Sequence, residues 1–140
     1  MQVADVLDAL GGLVAQLKVY AAKLPTIVHL SSVPTGVKPK VEAVEEYEEI
    51  VSRFRNQSAG TPYKGLSELF VESLEAFESG RLLGSVHPLL LVLDHLERME
   101  RDKEIIVRRT DETRTGEYRS TLNKILPGNK PELDGAGRGM

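Results

Sequence analysis

From Val3 to Leu24 an apolar side chain recurs every three or four residues: Val3, Val6, Leu10, Leu13, Leu17, Tyr20 and Leu24. Leu7, Val14 and Ala21 widen the row on one side. A strand would place alternate residues on one face, whereas a helix brings positions three and four apart together. The spacing therefore predicts a long helix with an unbroken apolar seam. Such a seam has to be covered, either by other helices of the chain or by a second copy of it. Gly11-Gly12 lies in the middle and costs about 1 kcal/mol of helix propensity per residue relative to Ala. A pair of this kind either bends a helix or lets another element approach closely. Pro25 ends the pattern.

The residue supply agrees with helix packing. Hydrophobic residues make up 41% of the chain, but aromatics only 5%, and Trp is absent. The core must therefore come from Leu, Val, Ile and Ala. A length of 140 residues suits one domain. The charged fraction of 28% is that of an ordinary globular protein. With 0 Cys, a disulfide framework, a thiolate zinc site and a cysteine nucleophile are all excluded.

Further along, Thr26 to Ser32 reads as extended, and Val33-Pro34-Thr35-Gly36 as a turn. A second helix is expected from about Pro39 to Asn56, with Val44, Tyr47, Val51 and Phe54 on its buried face. Its glutamates crowd the first half and Arg53 and Arg55 lie near its end, an order that suits the helix dipole. Leu66, Leu69, Phe70, Leu74 and Phe77 mark a third helix from about Lys64 to Glu78, and Ser79-Gly80 is its stop signal. A fourth is expected to begin near Ser85 or Val86, with Pro88 in its first turn. Leu89 to Leu93 is apolar on every side, so this helix is central in its bundle or faces a second subunit. Beyond it, Thr110 to Gly116 reads either as the turn of a β-hairpin or as the start of a short fifth helix that buries Leu122. The expected fold is mainly α, a four-helix bundle-like domain over residues 1–126. A C-terminal short helix or hairpin completes it, and a Gly/Pro-rich irregular tail follows over 127–140.

Chemistry-bearing motifs are sparse. The residues three before His29, His87 and His95 are Thr26, Gly84 and Val92, so no Glu-x-x-His pair of a di-iron bundle is present. There is no His-Glu-x-x-His and no phosphate-binding glycine loop. No metal and no cofactor is expected. Arg81 precedes His87 by six residues near a helix start. That pair resembles the Arg…His signature of HEPN-domain ribonucleases, which are small helical bundles. The resemblance implies that Arg81 would stabilise charge on a phosphate while His87 served acid–base chemistry on a 2′-hydroxyl. It extends over Arg81 to His87 alone. Leu82 stands where that family favours a polar residue, and Gly84 and Pro88 interrupt the helical context.

Charge is unevenly distributed. Residues 1–100 hold 9 Lys/Arg against 14 Asp/Glu, a net −5, whereas residues 101–140 hold 9 against 7, a net +2. Arg101, Lys103, Arg108, Arg109, Arg114, Arg119 and Lys124 are therefore candidate contacts to a nucleic-acid backbone, which needs cations but no fixed motif. Asp102, Glu104, Asp111, Glu112 and Glu117 are interleaved with them, and a mixed-charge solvated surface accounts for the same residues. No charged leader precedes the first helix, and no apolar stretch approaches the roughly 20 residues of a membrane span. An intracellular or virion location is the expectation.

The two apolar segments point toward a non-enzymatic structural subunit that self-associates, of the kind found in coats and filaments. Val3, Val6, Leu10, Leu13, Leu17, Leu90 and Leu91 are its interface candidates. A ribonuclease using Arg81 and His87 and a small helical adaptor in a larger complex are the competing readings.

Overall fold

A computed structural model describes residues 1–22 and 38–125. Five α-helices occupy them, and no strand occurs among the described residues. They are α1 (Val3–Ala22), α2 (Val41–Ser58), α3 (Ser67–Glu78), α4 (Leu82–Arg101) and α5 (Arg109–Ile125), with a single 3-10 turn, Lys64–Leu66, leading into α3. The expected mainly helical bundle is what forms, and its last element is the helical alternative, α5, not a hairpin. The extended segment and turn expected over 26–36, His29, and the tail over 127–140 lie outside the described residues.

The α1 seam is the spine of the core. Val6, Leu7, Leu10, Leu13 and Leu17 are fully buried, with Val3, Val14 and Tyr20 nearly so. They pack against α2, α4 and α5. Gln2 starts the helix, its backbone N–H donating to the Asp5 carboxylate at 2.7 Å while its carbonyl accepts from the Asp5 N–H. The two glycines serve close approach. A Cβ on Gly12 would stand 2.8 Å from Ile50 Cδ1 of α2, and one on Gly11 would run into the Tyr118 ring of α5. Burying eight large side chains on one helix, at about 1.5–3 kcal/mol each, outweighs the roughly 2 kcal/mol of propensity lost at the pair.

Helices α3 and α4 form a tight antiparallel hairpin. Gly80, at φ 73°, closes α3, and the Arg81 N–H donates to the Ala76 carbonyl at 2.8 Å. Gly84 then packs on Ala76, where an added Cβ would stand 3.0 Å from the Ala76 Cβ. The expected start of α4 at Ser85 or Val86 is corrected to Leu82. Pro88 thus lies beyond the first turn and is buried; it removes the hydrogen bond that would have reached the Gly84 carbonyl. The α4 core residues Val86, Leu89, Val92 and Leu93 are completely enclosed, which offsets that loss.

Aromatic stacking and one buried polar chain join α2 to this hairpin. Tyr47 stacks on Phe77 with centroids 4.3 Å apart, and Tyr20 meets the same ring edge-on at 5.7 Å. The Tyr47 hydroxyl is 2.5 Å from Ser73 Oγ, which donates to the Ser85 carbonyl at 2.7 Å. Tyr47 and both serines are fully buried, and burial raises the Tyr47 phenol well above its ordinary range. The phenol therefore stays protonated and acts as a donor.

Helix α5 is attached differently. Only Asp111 and Leu122 are buried along its 17 residues. Arg114 donates to Asp8 of α1 at 2.8 Å and to the hydroxyl of Tyr118 at 3.0 Å, while Tyr118 covers Gly11. Arg119 reaches Asp94 at 3.0 Å and Glu97 at 3.4 Å on α4. These contacts make α5 parallel to α1 and fix its register with few apolar groups.

Candidate functional site

The structure sorts the seven candidate cations into three groups. Arg114 and Arg119 face inward and are engaged in the ion pairs that dock α5. The hydrogen bond that Arg114 donates to the Tyr118 hydroxyl and the nearby Asp8 carboxylate both raise its pKa further. Lys124 stands alone and exposed near the far end of α5, about 22 Å of helix from Arg109. The remaining four, Arg101, Lys103, Arg108 and Arg109, lie within nine residues of chain at the turn from α4 to α5. All four are exposed, and none of their side chains makes an ion pair or hydrogen bond among the described residues.

The local backbone explains why this turn projects. Helix α4 ends in a Schellman motif, with the Lys103 N–H donating to the Glu100 carbonyl at 3.0 Å and the Glu104 N–H to the Met99 carbonyl at 2.9 Å. That motif sets Lys103 at φ 62°, the left-handed region, where a Cβ is unfavourable. Ile105 and Val107 turn inward onto the core, which leaves Ile106 between them 85% exposed. Asp111, in the first turn of α5, then reaches back to accept the Arg108 N–H at 3.1 Å and fixes the start of that helix. Asp111 and Asp5 both lie near the buried Tyr63, whose phenol is raised by burial and then by those two carboxylates. The α4–α5 turn therefore shares one end of the bundle with the start of α1 and the α2–α3 connection.

The interface candidates divide as well. Val3, Val6, Leu10, Leu13 and Leu17 are covered by the chain's own helices and offer no surface in this arrangement. Leu90 and Leu91 are half-buried on α4. Leu83, which is 39% exposed, lies two turns before Leu90 on the same side of that helix, and Leu91 stands about 100° further round. Sequence reading missed Leu83 because it sits before the expected helix start.

Arg81 caps α4, its carbonyl accepting from the Ser85 N–H at 3.1 Å and the Ser85 hydroxyl at 3.0 Å. His87 is exposed six residues on, about a third of the way round the helix from it. No hydrogen bond joins their side chains among the described residues. His95 is tied to Arg98 at 2.5 Å one turn along α4, and no carboxylate pairs with it among the described residues. Among the described residues no three His, Asp or Glu side chains gather as metal ligands would, and no helix is long and apolar enough to cross a membrane. A shallow depression lies beside the α2–α3 connection, where Arg55 and Lys64 confront Glu68 and Glu72.

Searches of protein-family models, curated proteins and solved structures find no match to this chain.

Proposed function

We propose that this protein is a non-enzymatic helical assembly subunit that associates with copies of itself through the outer face of α4. The observation that carries this reading is the set of three leucines, Leu83, Leu90 and Leu91, left partly exposed on the outer half of α4 after the five helices have enclosed the α1 seam. Three leucines are too little surface for a stable contact, which needs about 1,000 Å² or more. They serve as apolar contacts at the two edges of a larger patch, with the exposed His87 and Arg98 between them. Small helical coat and filament subunits are one class of protein that works in this way.

Sedimentation velocity over a concentration series tests the proposal. Wild type is expected to sediment as an oligomer at high concentration, and Leu83→Asp/Leu91→Asp to remain monomeric with unchanged helical circular dichroism. A wild type that stays monomeric throughout would sink the reading. The purified protein is also expected not to cleave RNA. Cleavage that disappears in His87→Ala would replace the assembly reading with a ribonuclease built on Arg81 and His87.

A further inference from the structure

We propose that the turn between α4 and α5 is a binding site for a phosphodiester backbone. The site consists of Arg101, Lys103, Arg108 and Arg109 around the projecting Ile106, and it is separate from the α4 face assigned to self-association. Three observations meet there. The segment 101–109 holds four cations against the carboxylates of Asp102 and Glu104, a net +2 on a chain of net −3. Its four basic side chains are uncommitted, in contrast to Arg114 and Arg119, which the fold uses for docking α5. Ile106 is the most exposed large apolar residue among those described.

The backbone supplies the decisive detail. Three described residues have positive φ: Gly60 at 79°, Gly80 at 73° and Lys103 at 62°. The second closes α3, and the first sits in the turn after α2, where Ala59 is extended and the Thr61 N–H donates to the Ser58 carbonyl at 2.9 Å. Both use the residue that tolerates this conformation best. The third closes α4 with a lysine, whose Cβ makes the same conformation unfavourable. A strained residue in an exposed turn points to a use for its side chain. Lys103 is exposed on the same turn as the exposed Arg108 and Arg109. Cationic side chains held apart on one turn suit successive phosphates, which they meet as charges with no sequence readout. An apolar tip among them suits the sugar and base surfaces between phosphates. A membrane surface calls for more buried apolar area than the one isoleucine provides.

The test is a salt series with the full chain and two labelled probes of equal length, a single-stranded RNA and a duplex DNA. Binding to either probe, weakening steeply with salt, is expected, and the preferred probe identifies the form of nucleic acid. Lys103→Gly is the discriminating variant, because it relieves the backbone while removing the charge. It should melt at a higher temperature than wild type yet bind about tenfold more weakly at about 50 mM salt, with the salt slope reduced by about 0.7–0.9. Arg108→Ala/Arg109→Ala should lose about twice that slope, and Lys124→Ala should match wild type. A purely structural Lys103 would change the melting temperature alone. Unchanged affinity in Lys103→Gly, no salt-dependent binding to either probe, or binding only to vesicles of phosphatidylserine would each overturn the proposal. Sedimentation of the same samples keeps the two readings apart: a monomer that binds the probes contradicts self-assembly only, and an oligomer that ignores them contradicts this site only.

Discussion

Phe77→Ala is expected to lower the unfolding free energy by about 3–5 kcal/mol. Phe77 is fully buried, stacks on Tyr47 and receives the edge of Tyr20, so its ring joins α3 to both α2 and α1. Truncation leaves a cavity at the meeting point of three helices. The neighbours cannot collapse freely into it, because Tyr47 is held by its hydrogen bond to Ser73. Domains of this kind are stable by about 5–15 kcal/mol, so a third or more of the margin is at stake. Urea unfolding followed by circular dichroism measures it, as a lowered midpoint with the denaturant slope preserved. A loss below about 1 kcal/mol would mean that this aromatic cluster does not join the three helices.

Gly11→Leu has the next largest effect, a net loss of about 2 kcal/mol concentrated at α5. Two terms oppose each other. Leu gains up to about 1 kcal/mol of helix propensity over Gly. Against this, the first added carbon would already stand 2.9 Å from Tyr118 Cζ, so the ring must leave. Tyr118 is bound through its hydroxyl to Arg114, which also holds Asp8, so displacing the ring disturbs the whole α1–α5 junction. Because α5 buries so little apolar surface, it is the element expected to release first. Hydrogen exchange should show faster exchange over Arg109–Ile125 in this variant, with α3 and α4 unaffected. Equal protection of α5 in both proteins would contradict a Gly11–Tyr118 joint.

How much of this could be read from the sequence depended on which residues carried the signal. Helix α1 was legible because seven apolar residues in succession match one period, yet periodicity reports only that a face is covered. It cannot say whether the cover is the same chain. That is why Val3, Val6, Leu10, Leu13 and Leu17 read as an interface and are instead the bundle's own core. The Gly11-Gly12 pair left a bend and a close contact as equal options, since the partners Tyr118 and Ile50 are distant in sequence. The start of α4 was placed late because Gly84 and Pro88 weaken local helix propensity, and tight packing on α3 overrides them. Helix α5 stayed undecided for the same reason in reverse. The contacts that fix its register reach Asp8, Asp94 and Glu97 on other helices, and its own pattern of buried residues is thin. The seven cations looked equivalent in sequence, and only their ion pairs separate those that dock α5 from those left free at the turn. Nothing in the sequence signalled the left-handed Lys103, because glycine is the residue that normally marks such a position.

At the centre of this account is a seam on α1 that its own chain encloses, leaving assembly to the outer face of α4. Native-state hydrogen exchange across about a hundredfold range of protein concentration addresses that directly. Amides of Val6 to Leu17 should keep the same high protection at every concentration, whereas those around Leu90 and Leu91 should gain protection as the protein is concentrated. Protection of α1 that falls away on dilution would show that a second copy covers the seam, and would contradict the account.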